Sequence, residues 1–382
     1  MANILDYLDW RGDLSFRIAP FNEVDNLILS ELAYLDLTEV VASPLQRNQS
    51  VPLEEVAQQL QMRSEGQPVD MGLLVPKQIP ELFQKAAKSR RFAGVKLNYF
   101  ASEIDYTQEK QFAAVTAELG DGSIYVAFRG TDDTLVGWKE DFNMSFLQTV
   151  PSQQEALEYL ERVARYYPRT RLRIGGHSKG GNLAVYSAMH CRPRLQQRIL
   201  EIYNNDGPGF SKAVIDEPAY QAIRSRIRTI VPQSSVVGML LEHEEEYQVV
   251  QSTQVGLWQH DGFSWEVLGE RFIHLEEIEP EARAQNQTLK NLINGMTPQQ
   301  REIFADALYE VLTTNDAKTL RQVQEEGLQL MLNMPRALMG LDKQTKDAVA
   351  ETVKQLFRKG AQNLKEDLGN ILPGRSGGEE VK

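Results

Sequence analysis

Apolar residues between positions 92 and 268 follow two alternating patterns along the chain. Short apolar runs that predict strands occupy residues 95–101, 111–119, 123–128, 171–175, 199–203 and 227–231. Apolar positions three or four residues apart predict helices at 153–167 and 182–188. Strands that alternate with helices form a largely parallel sheet with helices on both faces. We therefore predict an α/β fold whose reactive residues lie at the carboxyl ends of the strands.

The flanks of this region have different patterns. Residues 1–75 first place apolar side chains at helical spacing and then become polar, which predicts an N-terminal extension or cap. Further along, Thr297 is a predicted helix N-cap and Pro298 the first helical position. A later helix is predicted to bury an apolar stripe of Val349, Val353, Leu356, Phe357 and Leu364. The predicted parts are an N-terminal extension (1–75), an α/β core (76–280), a helical C-terminal region (281–368) and a disordered tail (369–382).

Composition and charge argue against several classes of protein. No stretch approaches about 20 uninterrupted apolar residues, so no transmembrane segment is predicted. Residues 1–6 have neither the basic start nor the apolar run of a secretory signal, which favours the cytoplasm. The net charge of −12 gives no basic footprint for nucleic acid. Cys191 is the single cysteine and no His/Cys cluster has metal-ligand spacing, so we expect no disulfide, no metal and no other cofactor.

A candidate nucleophile stands between a predicted strand and a predicted helix. Residues 176–180 read Gly-His-Ser-Lys-Gly, a G-x-S-x-G motif in the context of a nucleophile elbow. In such an elbow the serine lies on a strained turn, and Gly176 and Gly180 leave room for strand and helix to approach. The alternative is a glycine-rich turn without chemistry. We interpret Ser178 as the nucleophile of a serine hydrolase.

A second motif follows the predicted strand 123–128. Phe-Arg-Gly-Thr at residues 128–131 leads into a loop of the kind that supplies a backbone N–H to the oxyanion hole of α/β-hydrolases. We expect Thr131 to provide one donor and the N–H of Lys179, the residue after the nucleophile, to provide the other. The alternative is an ordinary strand-to-loop glycine.

These motifs carry a resemblance to known families. The segments that resemble the class 3 (fungal-type) lipases, in which Phe-Arg-Gly-Ser/Thr carries the oxyanion residue, are 128–131, 137–141 and 176–181. The segments that more closely resemble a bacterial α/β-hydrolase family of unassigned function are 6–13, 128–142 and 259–265. The resemblance covers roughly residues 3 to 270 and implies an α/β-hydrolase fold, while it leaves the substrate open. Trp138 and Asp141 are interpreted as anchors of the loop behind the oxyanion strand.

The general base must be one of five histidines. α/β-Hydrolases order their triad as serine, acid and histidine, so His177 and His190 do not suit the order, and His243, His260 and His274 remain. His260 is the first choice because it lies in a loop-like setting inside the family-like segment. His243 is the second, although its acidic neighbourhood equally describes a solvated helix end. A structural histidine is the alternative for both.

The acid departs from the lipase pattern. In class 3 lipases it follows the second strand after the nucleophile, but here residues 231–237 contain no carboxylate. Asp206 ends the strand directly after the elbow helix, where several hydrolases place their acid. The alternative is a turn aspartate that stabilises an Asp-Gly-Pro-Gly bend. We predict the triad Ser178, Asp206 and His260.

The predicted function is that of a cytoplasmic, lipase-like carboxylesterase that forms an acyl-enzyme on Ser178 and acts on a small-molecule or lipid ester. The alternative is a catalytically silent hydrolase fold that acts as a binding or regulatory module, suggested by the missing carboxylate. In that case the C-terminal helices would bind a protein partner. A lid, if present, is expected at residues 212–227.

Overall fold

The computed structural model describes residues 2–43, 49–64, 67–284, 295–313 and 316–325, with a few further positions between 338 and 353. Val349 and Val353 of the predicted apolar stripe are buried. The other stripe residues, Leu356, Phe357 and Leu364, and the predicted tail 369–382 lie outside the described residues.

Helices and strands alternate along most of the described chain. The helices are α1 (Ile4–Arg11), α2 (Glu23–Leu32), α3 (Leu53–Arg63), α4 (Ile79–Lys88), α5 (Leu135–Asn143), α6 (Pro151–Tyr166), α7 (Lys179–His190), α8 (Pro193–Gln196), α9 (Lys212–Ile215), α10 (Pro218–Ile223), α11 (Pro298–Leu312) and α12 (Leu320–Glu325). The strands are β1 (Val51–Pro52), β2 (Lys96–Asp105), β3 (Lys110–Glu118), β4 (Ile124–Phe128), β5 (Leu172–His177), β6 (Ile199–Asn205), β7 (Ile227–Pro232), β8 (Tyr247–Val250), β9 (Val267–Leu268), β10 (Arg271–Phe272) and β11 (His274–Leu275).

The central sheet follows the order β1-β2-β3-β4-β5-β6-β7-β8-β11. Strands β4 to β8 are parallel to one another. The edges are antiparallel, since β1, β2 and β3 form an antiparallel series up to β4 and β11 runs against β8. The predicted α/β-hydrolase fold with a mostly parallel central sheet is confirmed. The sequence pattern did not reveal the antiparallel edges, because strand direction is set by pairing partners and not by local periodicity.

Helices cover both faces of this sheet. On one face, apolar residues of α1, α2 and α4 share a core with the strands, and Tyr125 and Tyr203 are among the strand residues in that core. On the other face, α6, α7 and α10 pack against the opposite sides of the same strands, with Tyr159 and Leu183 in the contact. Residues 1–132 and 136–301 form one compact unit. The domain boundaries given above stay predictions.

Helix α2 begins with strong local signals and is then fixed by a buried ion pair. Asn22 caps the helix and forms a capping box with Asp25. The guanidinium of Arg91 donates to both carboxylate oxygens of Asp25, and neither side chain is exposed. Arg91 also donates to the carbonyl oxygens of Leu14, Ala19 and Pro20. This pairing holds the N-terminal segment and α2 in place on the sheet.

A second compact unit consists of Asp133–Leu135 and residues 302 onward. The N–H of Leu320 donates to the Asp133 carbonyl at 2.9 Å, and the N–H of Leu135 donates to the Lys318 carbonyl at 2.9 Å. Thr134 and Thr319 form the antiparallel bridge between these bonds. Within this unit, the backbone of Asp133–Leu135 therefore pairs with residues 318–320, at the start of α12.

Candidate active site

Ser178 lies at the turn between β5 and α7, at the carboxyl edge of the parallel strands. Its backbone has φ 57° and ψ −134°, a conformation that costs a non-glycine residue on the order of 1–3 kcal/mol. The N–H of Ser178 donates to the carbonyl of Asn205 at the end of β6, at 2.9 Å. The serine is half-buried and therefore accessible. This geometry is that of a nucleophile elbow.

The two elbow glycines are required by close backbone contacts. A Cβ atom on Gly180 would lie 2.1 Å from the carbonyl oxygen of Phe128 in β4. A Cβ atom on Gly176 would lie 2.4 Å from the same oxygen. Both distances are far below van der Waals contact, so β4 leaves no space for a side chain at either position.

His260 and Asp206 form a hydrogen-bonded pair beside the elbow. The Nδ1 atom of His260 lies 2.6 Å from Oδ2 of Asp206. The Asp206 side chain is buried, whereas that of His260 is 26% exposed. Since the carboxylate accepts the Nδ1 proton, Nε2 of His260 remains as the basic nitrogen in the neutral ring.

The other carboxylate oxygen of Asp206 also has donors. Oδ1 accepts a hydrogen bond from the hydroxyl of Ser235 and another, at 3.2 Å, from the N–H of Gly238. Ser235 follows β7, which is the strand after which the lipase pattern places its acid. Ser235, at the position where the lipase pattern has its acid, thus donates to the carboxylate of Asp206, which follows β6.

The ring of His177 connects the elbow to His260. The two imidazole centroids are 4.5 Å apart, and Nε2 of His177 donates to the main-chain carbonyl of His260 at 2.7 Å. Nδ1 of His177 faces the hydroxyl of Tyr34 at 3.3 Å. Burial, followed by the charge of His260, holds the pKa of His177 well below its usual value, so the ring is neutral. The residue beside the nucleophile therefore fixes the loop that carries His260.

The loop after β4 lies against Ser178. A Cβ atom on Gly130 would lie 3.0 Å from Cβ of Ser178 and 2.6 Å from the His177 carbonyl. The hydroxyl of Thr131 donates to Oδ2 of Asp141 at 2.6 Å. Burial raises the pKa of Asp141 to about 6, although Lys179 and the bond from Thr131 both favour its ionised form.

The side chain of Lys179 has a role that sequence reasoning missed. It is fully buried, and its Nζ donates to Oε2 of Glu140 at 2.9 Å and to the carbonyl and side-chain oxygens of Gln111 at 2.9 and 2.8 Å. Glu140 precedes Asp141 in the Gly-Trp-Lys-Glu-Asp run, so this run ties both Lys179 and Thr131 to one helix, α5. The sequence signal for this contact was the pair of adjacent acidic residues, Glu140 and Asp141, in this run.

The remaining candidate histidines lie apart from the pair described above. His243 is buried, with Nδ1 2.9 Å from Oε1 of Glu245 and Nε2 2.6 Å from the carbonyl of Gly238. His274 contacts Glu23 at 2.8 Å through Nε2. Both rings are engaged with carboxylates other than Asp206.

Glu31 of α2 is a second residue that sequence reasoning missed. Its side chain is fully buried and neither carboxyl oxygen has a hydrogen-bond partner among the described residues. Oε1 lies 3.6 Å from Nδ1 of His177, and a Cβ atom on Gly262 would come within 3.0 Å of it. Burial, with a smaller contribution from Asp261, raises the pKa of Glu31 well above its usual value. Its place in a helix far from the motifs gave no sequence signal.

Within the described ranges, no group of three His, Cys, Asp or Glu side chains is arranged to hold a metal ion. In the same ranges, no helix combines the length and hydropathy that a bilayer crossing requires.

Comparison with family models gives one match, to the Mbeg1-like family, over residues 86–310. The chain belongs to the Mbeg1-like family. The Mbeg1-like match includes Thr131, Ser178, Asp206 and His260, whereas Glu31 lies outside it. A comparison with curated proteins gives no match.

Solved structures similar to this Mbeg1-like chain include fungal lipases. The Rhizomucor miehei lipase propeptide complex is 18% identical, with a TM-score of 0.32 over 42% of this chain and 58% of that one. The match therefore spans less than two thirds of the Rhizomucor chain. Lip2 lipase from Yarrowia lipolytica is 12% identical, with a TM-score of 0.39 over 72% of this chain and 90% of that one. An MDLA variant from Penicillium cyclopium is 14% identical, with a TM-score of 0.37 over 66% and 84%.

Proposed function

We propose that this protein is a serine ester hydrolase, a lipase-like carboxylesterase that forms an acyl-enzyme on Ser178. The observation that carries the proposal is the strained elbow of Ser178 next to the buried Asp206 and its 2.6 Å contact with His260. An accessible serine, a histidine whose Nδ1 faces a carboxylate so that Nε2 is its basic nitrogen, and the carboxylate that orients it are the groups that acyl transfer needs.

The proposed reaction has two halves. Nε2 of His260 takes the proton of the Ser178 hydroxyl while Oγ attacks the ester carbonyl carbon, and Asp206 stabilises the imidazolium that forms. The tetrahedral intermediate collapses, and His260 gives its proton to the departing alcohol. Water then attacks the acyl-enzyme with His260 again as base, which releases the acid and restores Ser178.

The proposed oxyanion hole consists of the N–H groups of Lys179 and Thr131. The N–H of Lys179 stands in the first turn of α7, where backbone donors lack intrahelical acceptors. The contact of Gly130 with Ser178 supports the placement of the Thr131 loop, and the bond from Thr131 to Asp141 fixes its side chain. Two such donors stabilise the charge that develops on the carbonyl oxygen.

An ester with an apolar group is the proposed substrate class, either a small molecule or a lipid. The support is a short segment before His260, in which Val255 is 74% exposed and Trp258 is 37% exposed. Exposed apolar side chains next to a candidate site favour contact with an apolar ligand. The cytoplasmic location and the lid at residues 212–227, which form α9, α10 and a 3₁₀ turn, stay predictions.

One of the two observations behind the alternative, a catalytically silent fold, has become weaker, while the other, the helical C-terminal region, stays untested. The first observation is the absence of a carboxylate after β7, but Ser235 at that position donates to Asp206 instead. The missing acid therefore no longer favours a binding module.

The test is fluorophosphonate labelling of the full chain, read by intact mass, together with hydrolysis of p-nitrophenyl esters of graded chain length. We expect labelling and hydrolysis in the wild type and in a variant of an exposed serine, Ser211→Ala, but neither in Ser178→Ala. The chain-length profile then distinguishes an esterase from a lipase-like enzyme. A folded wild-type protein that is not labelled would contradict the proposal and favour the binding-module alternative.

A further inference from the structure

A second histidine–carboxylate pair lies behind the candidate triad. The side chains of His243 and Glu245 are only 4% and 3% exposed, and Nδ1 of His243 lies 2.9 Å from Oε1 of Glu245. Glu245 also accepts hydrogen bonds from the hydroxyl groups of Thr229 and Tyr220. The Glu245 carboxylate is therefore fixed by two hydroxyl groups in addition to its contact with the His243 ring.

Both nitrogens of the His243 ring face acceptors. Nε2 is 2.6 Å from the carbonyl oxygen of Gly238, and a carbonyl can only accept. Nδ1 faces the Glu245 carboxylate, so each ring nitrogen has an acceptor within hydrogen-bond distance. Burial alone would raise the pKa of Glu245, but the hydrogen bond and charge of His243 bring it down to about 2. The His243 ring is thus held at two points, by the Glu245 carboxylate and by the Gly238 carbonyl.

The peptide group of Gly238 links this pair to the triad acid. Its carbonyl accepts from His243, while the N–H of the same residue donates to Oδ1 of Asp206 at 3.2 Å. The opposite oxygen of Asp206 contacts His260. The order of contacts is thus Glu245, His243, Gly238, Asp206 and His260.

We propose that His243 and Glu245 are positioning residues for the catalytic acid, which they hold through the Gly238 backbone. The inference rests on the proposed function and deepens it, since it assigns a task to the histidine that sequence order alone offered as a second general base. Without the bond to His243, the Gly238 loop loses an anchor and Asp206 loses a fixed donor. The carboxylate can then turn away from the angle at which it orients His260.

The test compares His243→Gln with His274→Gln in the full chain. His274 is a matched control because it also pairs with a carboxylate, Glu23, outside the triad. Glu245→Gln is the second variant, since it keeps the size of the side chain and removes the carboxylate that faces Nδ1 of His243. The measurements are kcat and KM for a p-nitrophenyl ester, the rate of fluorophosphonate labelling, and the downfield proton resonance of the His260–Asp206 hydrogen bond.

For His243→Gln and Glu245→Gln we expect kcat and the labelling rate to fall about tenfold, as for the loss of one hydrogen bond, with KM within about twofold of the wild type. The double variant should lose no more than either single variant, because the two residues act as one unit. The downfield resonance should shift or broaden in these variants and stay unchanged in His274→Gln. A purely structural role would not separate kcat from KM in this way.

Two results separate the inference from the proposed function. If wild-type Ser178 is labelled but His243→Gln and Glu245→Gln retain wild-type kcat and the wild-type resonance, the inference is overturned and the proposed function stands. If the wild type is not labelled, the proposed function fails, and the resonance alone decides the inference. An unchanged resonance in both variants would then overturn the link to Asp206, whereas its selective loss would support that link.

Discussion

The hydroxyl of Thr131 is oriented by a single carboxylate oxygen of Asp141, at 2.6 Å. If the N–H of Thr131 binds the oxyanion, the side-chain bond fixes the peptide from which that donor projects. The geometry of this residue then matters more for the transition state than for substrate binding.

We predict that Thr131→Val, which keeps the shape of the side chain and removes its donor, lowers kcat about tenfold to a hundredfold and leaves KM nearly unchanged. Thr131→Ser is the matched control, because it keeps the hydroxyl and should retain most of the activity. Steady-state kinetics with a p-nitrophenyl ester provide the measurement. A Thr131→Val enzyme with wild-type kcat would remove Thr131 from the proposed oxyanion hole.

Glu31 makes the stability of the protein depend on pH. Burial raises its pKa in the folded state, so the folded protein holds a proton that the unfolded chain releases near pH 4.5. The contribution to stability is fully present below the unfolded pKa and is lost as the pH rises towards the folded one, by up to about 1.4 kcal/mol per pH unit. The neutral neighbour His177 does not offset this loss.

We therefore predict that Glu31→Gln flattens the pH dependence of the free energy of unfolding. The variant should resemble the wild type near pH 4 and gain stability relative to it with each step in pH above about 5. Urea unfolding at a series of pH values measures the difference, and the exposed Glu54→Gln serves as control. A difference that stays constant with pH would mean that Glu31 titrates alike in both states.

At the level of elements, β4, β5 and α7 meet at one point, the carbonyl of Phe128 against Gly176 and Gly180. Alanine in place of a helical glycine normally stabilises a helix by roughly 0.5–1 kcal/mol. Here the added Cβ atom would displace β4 from the elbow helix. The steric clash between β4 and α7 therefore outweighs the gain in helix propensity that alanine would bring.

We predict that Gly180→Ala lowers the free energy of unfolding by about 3 kcal/mol, in the upper range for overpacked sites. Gly120→Ala is the control, because a Cβ atom there would meet no atom within 4 Å. Urea or thermal unfolding of both variants tests the expectation. Equal stability of Gly180→Ala and the wild type would show that β4 can move away from the elbow.

The elements around the elbow could be predicted because each has a local signal. Strands β4 to β7 are short apolar runs, and the glycines at 176 and 180 indicate the turn at Ser178. Strands β8 and β11 have four and two residues and arise from pairing with distant partners, as His274 does with Val250, whereas β9 and β10 are two-residue strands that pair with each other. No periodicity of their own marks such segments.

The same distinction holds for the candidate site. Ser178 and Thr131 lie in local motifs, and the order of residues pointed to Asp206 and His260. The contacts that support them join distant segments: Ser235 to Asp206, Glu140 to Lys179, and α2 to the elbow. Spatial neighbours of this kind follow from the packing of the sheet, and the sequence alone does not pair them.

At the scale of the whole molecule, the chain leaves its main compact unit for three residues, Asp133–Leu135, which belong to the second unit. Their backbone groups pair with residues 318–320 of that unit. This segment begins two residues after Thr131 in the chain. The backbone of Asp133–Leu135 therefore depends on residues 318–320 of the second unit for these hydrogen bonds.

We predict that Leu320→Pro frees this segment within the second unit. Leu320 is the first residue of α12, a position where proline fits the helix and removes only the N–H that donates to Asp133. Leu320→Ala is the control, because it loses the same apolar side chain but keeps the donor. Hydrogen–deuterium exchange should become faster at residues 133–135 in the proline variant only. Equal exchange at these residues in both variants would mean that the N–H of Leu320 does not hold the segment in place.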